Sequence, residues 1–313
     1  MSTMRPYRSI PILLAFLLVG SASAQQDPMY TMYMWNALSV NPGYAGSADL
    51  FTVTGLARQQ WAGLDGAPST QTLTAHTPLP MESLGVGLSV VHDKVGPVNN
   101  TLAFVDIAYR IHVNERARLA FGLKAGVDLF QVNLGGLQNV DANDPLFGQD
   151  LQAKAKPNFG FGVYYWTKKG YIGLSAPKLI EHDRLQVDGS TDVVSAIRQQ
   201  RHYFLIAGYV FNLGRDVKFR PSVLVKAVEG APVQVDVSAM FLLREKLWLG
   251  VAHRSGDSFS ALIAYQINDQ FKVGYAYDFT TTALRSYHSG SHELMLSYDL
   301  RFNKEKTLSP RYF

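Results

Sequence analysis

The strongest constraint on the fold of this chain is an alternation of apolar and polar residues that runs from about residue 50 to residue 302. In its last segment, Leu294 and Leu296 occupy one set of alternate positions, whereas Glu293 and Arg301 occupy the other. Successive side chains of a β-strand point to opposite faces, so this pattern predicts strands with one apolar face. Repeated segments of about ten residues with this period are typical of transmembrane β-barrels, in which lipid covers the outer face.

The alternating segments number about fourteen, and single-chain bacterial barrels have an even number of strands. The fold class that we predict is therefore all-β, a transmembrane antiparallel β-barrel of about 14 strands. A soluble β-sandwich also alternates, but the length and regularity of the pattern favour the barrel. The predicted strands span residues 50–58, 69–76, 84–93, 101–113, 117–130, 158–167, 169–176, 202–213, 217–227, 233–243, 246–254, 258–268, 270–279 and 291–302.

The connections between the predicted strands follow a parity that supports this count. The odd-numbered connections include all the long ones, and the even-numbered connections include a series of short turns. Outer-membrane barrels have short periplasmic turns and long external loops, whereas a sandwich gives no reason for such a parity. We therefore expect an outer-membrane protein with both termini in the periplasm. The long connections are 57–69, 132–157, 177–201 and 280–290, and the short ones are 114–116, 168–170, 212–216, 244–246 and 268–270.

The N-terminus has the features of a secretory signal peptide. Arg5 and Arg8 precede an apolar run over residues 10–20 and a small-residue end at Ala24. The run is too short to span a bilayer as a helix, which takes about 20 residues. The chain has no cysteine, which excludes disulfides, thiolate metal sites and a lipid-anchored cysteine. We expect a signal peptide over 1–24, a periplasmic or plug segment over 25–49, the barrel over 50–303 and a periplasmic tail over 304–313.

Residues 25–47 depart from the strand pattern. A short helix is expected after Asp27 and Pro28, because Asp can cap a helix and Pro suits its first turn. The Asn-Pro-Gly sequence at residues 41–43 then turns the chain into the first strand. Two interpretations remain open for this segment. It plugs or caps the periplasmic mouth of the barrel, or it is a periplasmic tail bound only to turns.

Charged residues of both signs fall on the strand faces that point inward. In contact with lipid they would be costly, by about 2–4 kcal/mol for an Arg or Lys at the midplane. Interior salt bridges would account for them, and a conducting or substrate-lined pore is the alternative. The predicted lumen charges are Arg110, Lys124, Asp128, Lys218, Arg220, Lys226, Asp236, Asp278, Asp299 and Arg301.

The sequence contains no recognisable catalytic constellation, so we expect neither an enzyme nor a cofactor. His288 and His292 are four residues apart, but they lie in an expected hairpin rather than on one helix face, and we expect no metal site there. The acidic loop from Asp141 to Asp150 lacks the ordered ligands of an EF-hand and is interpreted as solvated. The formal net charge of +4 is scattered along the chain and indicates no nucleic-acid partner.

The opening stretch 26–34 and the Asn-Pro-Gly-Tyr-Ala-Gly block at 41–46 resemble the start of a known family, although Gly43 stands where Ala is common. This is the PorP/SprF family, an outer-membrane family of the Bacteroidota tied to type IX secretion and gliding motility. The resemblance covers essentially the whole chain after the signal peptide, so it is specific. Further matching blocks lie at 58–68, 93–97, 219–222, 225–226, 230–232, 248–250 with Arg254, 274–278 and 290–293.

The resemblance implies a barrel that supports the export or surface docking of cargo carrying a type IX C-terminal signal domain. The implied partners are the secretion machinery and a large surface adhesin, and the barrel wall would contact outer-membrane lipid. A passive channel or small-solute transporter is the alternative function. A hydrolase built on a barrel is a third possibility, which the missing nucleophile and base argue against.

The candidate partner-binding residues lie in the matching blocks and in the long loops. Aromatic side chains beside polar groups are usual anchors for a protein partner. For Trp61 the alternative is packing within its own loop. The candidates are Arg58, Trp61, Asp93, Lys94, Arg254, Tyr287 and His288.

Overall fold

The computed structural model describes residues 27–81, 83–133, 151–182 and 199–300, with residues 151–154 as backbone alone. Four of the sequence-based expectations lie outside the described residues. They are the signal peptide over 1–24, the acidic loop from Asp141 to Asp150, the lumen charge Arg301 and the C-terminal tail over 304–313.

The described chain forms one closed antiparallel β-barrel of 14 strands, which confirms the predicted fold class and strand count. Strand β8 is interrupted at Val210, and both of its pieces pair with β9. The barrel closes between β1 and β14, with Phe51 opposite Leu300 and Gln59 opposite His292. The strands are β1 Phe51–Gln59, β2 Ser69–Pro78, β3 Leu84–Val95, β4 Val98–Asn114, β5 Ala117–Val132, β6 Leu151–Thr167, β7 Gly170–Ala176, β8 His202–Tyr209 with Phe211–Asn212, β9 Val217–Val228, β10 Gln234–Leu243, β11 Leu247–Arg254, β12 Ser258–Gln266, β13 Phe271–Thr280 and β14 Ser291–Leu300.

The alternation in the sequence becomes an inner and an outer face of the barrel. In β12, Phe259 and Ile263 are exposed on the outside, whereas Ser260 and Leu262 are buried within. Closure pairs every strand on both sides, which is how a sheet satisfies its backbone polar groups in lipid. No helix within the described ranges is long and apolar enough to cross a membrane.

The two ends of the barrel differ in their connections, and we name them by that difference. The short-turn end carries the turns at Glu115–Arg116, Lys168–Lys169 and Arg244–Lys246, together with those after β2, β8 and β12. The long-loop end carries the connections after β1, β5, β7 and β13. Three further connections at the long-loop end, over residues 96–97, 229–233 and 255–257, are also short.

Residues 27–50, called the plug segment here, lie inside the barrel. The expected helix after Asp27 is wrong, because the segment instead forms three 3-10 turns, at Tyr33–Trp35, Ala37–Ser39 and Pro42–Tyr44. The carboxylate of Asp27 forms an ion pair with Lys178, so it caps no helix. The barrel wall surrounds the segment and buries side chains on all of its sides, which short irregular turns allow and one amphipathic helix does not.

The plug segment runs from one end of the barrel to the other. Asp27 contacts Lys178 and His202, which follow β7 and begin β8 at the long-loop end. Its last residues lie at the short-turn end, where the carbonyl of Gly46 accepts a hydrogen bond from Arg110. The first and last described residues, Asp27 and Leu300, therefore lie at opposite ends of the barrel. Both termini of the chain lie outside the described residues, so their expected periplasmic placement stays a prediction.

Candidate functional site

A buried ionic cluster holds the start of the plug segment to the barrel wall. Arg58 of β1 lies 2.7 Å from Asp278 and 2.9 Å from Glu293, and all three side chains are almost fully buried. The Glu293 carboxylate accepts the backbone N–H groups of Thr31 at 2.9 Å and Met32 at 2.7 Å. Charge-assisted hydrogen bonds of this kind are stronger than neutral ones. The cluster, called the Arg58 clamp below, thus ties three strands, β1, β13 and β14, and the plug segment together.

A cation between two indole rings anchors the middle of the plug segment. The Arg220 guanidinium lies 4.9 Å from the ring centroid of Trp35 and 4.4 Å from that of Trp248. The two rings meet edge to face at 6.0 Å. A desolvated cation–π contact is worth about 2 kcal/mol or more. Trp35 belongs to the plug segment and the other two residues to the wall, so this contact also fastens the segment to the lumen.

Glycines in β5 and β6 allow the plug segment to approach the wall closely. A Cβ on Gly122 would lie 2.2 Å from the backbone nitrogen of Gly43, and a Cβ on Gly162 would lie 2.2 Å from the Asn41 side-chain oxygen. The Asn41 side chain accepts from the Gly43 N–H at 2.8 Å and donates to the Val163 carbonyl at 3.1 Å. The Asn-Pro-Gly block is therefore fitted to a glycine-lined strip of the wall.

The last residues of the plug segment are tied to arginines at the short-turn end. Arg110 donates to the Gly46 carbonyl at 2.7 Å and lies 3.1 Å from Asp49. Arg118 forms a second ion pair with Asp49 at 2.7 Å. Gly46 has a φ of +74°, a conformation that favours glycine. Contacts therefore anchor the segment at its start, its middle and its end.

One phenol in the plug segment illustrates the electrostatics of the filled lumen. Tyr30 accepts a hydrogen bond from the Thr72 hydroxyl at 2.8 Å. Burial raises the pKa of the Tyr30 phenol well above its usual value, so the group stays neutral. A neutral, hydrogen-bonded phenol inside the barrel fits packing rather than proton chemistry.

Two loops join at the long-loop end around Trp61. The Ala62 N–H donates to the Gly290 carbonyl at 2.8 Å, and the Ser289 N–H donates to the Ala62 carbonyl at 2.9 Å. The Trp61 ring lies 6.3 Å from the His288 ring, at an angle of 38°. Trp61 thus packs against the loop before β14 rather than within its own loop alone. Next to it, Tyr287 is 70% exposed.

A cavity of about 630 Å³, called the vestibule below, opens at the long-loop end. The first residues of the plug segment line one part of it. Residues of four connections and of strands β3, β4, β10 and β11 line the rest. Its polar lining includes Asp27, Asp93, Asn100, Gln199, Gln234 and Arg254, and Trp61 adds an aromatic wall.

The structure divides the candidate partner residues between the interior and the mouth. Arg58 is part of its buried clamp, and Arg254 is buried against Asp236 at 2.9 Å, so neither presents its charge on the outer surface. Trp61 and Asp93 line the vestibule. Lys94, Tyr287 and His288 lie nearer the rim, where Lys94 and Tyr287 are exposed and His288 is half-buried.

The candidate lumen charges lie on the inner face or at its ends, and most have a described partner. Lys124 pairs with Asp106 at 3.1 Å, Asp278 and Asp236 pair with Arg58 and Arg254, and Arg110 pairs with Asp49. Asp299 accepts from the Thr52 hydroxyl at 2.8 Å, and Lys218 pairs with Glu245 at the short-turn end. Arg220 stacks between the tryptophans. Asp128 and Lys226 are buried as well.

Sequence reasoning missed two carboxylates among the lumen charges. Asp106 pairs with Lys124, and Glu293 receives the plug segment. Both were detectable, because Asp106 alternates with the outward residues Val105 and Ile107, and Glu293 lies on the polar side of its strand. The sequence predicted no metal site at His288 and His292, and this stays a prediction. In the described part of the chain, no three His, Asp or Glu side chains come close enough to hold a metal ion.

A family model described as the type IX secretion system membrane protein PorP/SprF matches residues 22–298. The chain belongs to the PorP/SprF family. This confirms the resemblance seen in the sequence, and it makes the protein an outer-membrane component of the type IX secretion system that associates with the secretion machinery. A comparison with curated proteins found no match.

Solved structures similar to this PorP/SprF barrel are outer-membrane channels and transporters. The Ralstonia pickettii toluene transporter TbuX has a TM-score of 0.50 and 9% identity, over 85% of this chain and 93% of its own. The CymD monoaromatic hydrocarbon channel has a TM-score of 0.47 and 12% identity, over 85% and 92%. The P. putida toluene transporter TodX has a TM-score of 0.46 and 9% identity, over 86% and 95%. At such identities the likeness to TbuX shows the fold alone.

Proposed function

We propose that this PorP/SprF protein is a non-enzymatic docking barrel, which holds cargo with a type IX C-terminal signal domain at its long-loop end. The observation that carries the proposal is the plug segment. It fills the lumen and is fastened by the Arg58 clamp, by Arg220 and by Arg110. A lumen filled in this way offers little passage to solutes, so the binding surface of the protein is its outer mouth.

The orientation follows from the general architecture of outer-membrane barrels, which place long loops outside and short turns in the periplasm. In that orientation Lys94, Tyr287 and the vestibule face the cell surface. An exposed aromatic residue beside charged groups is a usual anchor for a protein partner. Trp61 and His288 support this rim from below through their joined loops.

The test is a pull-down of the intact protein from the surface of its own cells, followed by mass spectrometry of the bound proteins. We expect recovery of one or more proteins that end in a type IX C-terminal signal domain. Tyr287→Ala should reduce that recovery, because it removes the most exposed aromatic side chain of the mouth. Lys169→Ala, at the short-turn end, serves as the matched control and should leave recovery unchanged.

The alternative function is a passive channel, and a single-channel recording separates the two. The docking proposal expects no large stable conductance from the wild-type protein in a planar bilayer. A large stable conductance together with no recovered signal-domain protein would favour the channel and contradict the docking proposal.

A further inference from the structure

The vestibule contains buried polar groups that the packing of the barrel leaves unpaired. Gln199 is 4% exposed, and neither its side-chain oxygen nor its nitrogen has a hydrogen-bond partner within the described chain. The side-chain oxygen of Asn100, which is 7% exposed, has none there either. Such groups are rare in native proteins, because a buried polar atom without a partner is destabilising. Both residues line the same cavity, so a rotation of each side chain would bring its unpaired amide to a bound molecule.

Each charged side chain that lines the vestibule has a partner within the protein. Arg254 lies 2.9 Å from Asp236 and 3.4 Å from Asp257, and Asp27 pairs with Lys178. Asp93 accepts a hydrogen bond from the Thr70 hydroxyl at 2.6 Å. A ligand therefore needs no net charge to fit the site. It needs both hydrogen-bond donors and acceptors, because the free Gln199 amide offers one of each.

The Trp61 side chain gives the vestibule a flat apolar wall beside these polar groups. Its backbone has a φ of +48°, which is uncommon for a residue other than glycine. The joined loops hold it there, through its own N–H donating to Ser291 at 3.2 Å and through Ala62 bonding to Gly290. An indole ring suits ligands with an apolar face and a polar edge.

We infer that the vestibule binds a neutral oligosaccharide. A sugar ring presents a C–H face that would lie on Trp61 and hydroxyl groups that would donate to and accept from Gln199 and Asn100. The cavity volume of about 630 Å³ falls in the usual range of small-molecule sites. An extended peptide is disfavoured, because each of the 14 described strands is paired on both sides and offers no edge for an added strand. The inference is independent of the cargo-docking proposal.

The experiment uses the full-length protein in a detergent without sugar groups, so that the micelle does not compete for the site. Fluorescently labelled protein is applied to an array of neutral and charged oligosaccharides that includes maltotriose, mannotriose and chitotriose. Each neutral saccharide that binds is then titrated by isothermal calorimetry. We expect at least one neutral oligosaccharide to bind and to give a saturable titration.

Two substitutions separate a binding role from a structural role. Gln199→Leu should weaken saccharide binding about tenfold or more, the effect of losing a hydrogen-bonding amide. It should leave the melting temperature unchanged or raised, because the amide has no partner among the described residues to lose. Gln131→Leu changes an exposed glutamine at the same end but outside the vestibule, so it should alter neither quantity.

The inference fails if no neutral saccharide binds above the level of the Gln199→Leu variant. It also fails if saccharides bind but Gln199→Leu and Asn100→Leu bind them equally well. Binding of a type IX signal domain that Gln199→Leu abolishes, without saccharide binding, would show a peptide site instead and would contradict the inference. The two saccharide results do not bear on recovery of cargo through Tyr287, so the two proposals fail separately.

Discussion

At the scale of single residues, Glu293 is the most informative position, because its carboxylate binds both the barrel wall and the plug segment. It pairs with Arg58 and accepts two backbone N–H groups from Thr31 and Met32. Removing the Glu293 carboxylate would leave Arg58 paired with Asp278 alone and would leave the two buried N–H groups of Thr31 and Met32 without an acceptor. Each buried polar group left unsatisfied typically costs about 1–3 kcal/mol. The clamp is therefore the residue-scale feature on which retention of the plug segment depends.

We predict that Glu293→Ala lowers the free energy of unfolding by about 2–6 kcal/mol, measured by urea unfolding in lipid vesicles. The control is Glu245→Ala, which removes an exposed partner of Lys218 at the short-turn end. That change should cost at most about 1 kcal/mol, as exposed ion pairs do. Equal losses in the two variants would contradict the role assigned to the clamp.

Gly122 gives a second prediction at this scale, based on space rather than charge. Gly122→Ala places a methyl group against the backbone of Gly43, and a clash of this kind typically costs about 1–3 kcal/mol. Thermal unfolding should show the loss. Gly214→Ala is the matched control, because nothing lies within 4 Å of its added carbon and little change is expected. A stable Gly122→Ala variant would mean that the plug segment does not press against this strip.

At the scale of elements, the strands could be predicted, whereas the local structure and path of the plug segment could not. A barrel strand can be recognised in the sequence by its period-two alternation, because one of its faces contacts lipid and the other faces the lumen. The plug segment is surrounded by wall on every side, so its apolar residues carry no period, and the expected helix after Asp27 is absent. Gly122 and Gly162 leave room for Gly43 and Asn41 of the plug segment. The sequences of β5 and β6 alone do not show that the plug segment packs there.

The element-scale prediction concerns deletion of residues 25–46. The deletion removes Trp35, Thr31 and Gly46, the partners of all three anchoring sites, and leaves a polar lumen behind. We expect lower barrel stability and the appearance of a stable conductance in planar bilayers. The full-length protein recorded in the same membranes is the reference. If both quantities stay unchanged, the segment does not plug the barrel.

At the scale of the whole molecule, loop-length parity predicted which connections share an end, but not the path of the segment that precedes β1. Parity places the start of β1 at the short-turn end, and the natural extrapolation puts the preceding residues there as well. The plug segment reverses that, because it enters at the long-loop end beside Lys178 and reaches β1 only after crossing the lumen. The vestibule depends on the same path, since Asp27 forms part of its lining.

The central claim is a filled barrel that holds cargo at an outward-facing long-loop end, and single-cysteine labelling of intact cells tests it most directly. The native chain has no cysteine, so Tyr287→Cys and Lys169→Cys each carry one thiol, at opposite ends of the barrel. With a membrane-impermeant maleimide, we predict labelling of Tyr287→Cys alone, and slower labelling in secreting cells than in cells whose type IX secretion is blocked. Labelling of Lys169→Cys instead, or an equal rate at Tyr287→Cys with and without surface cargo, would contradict the account.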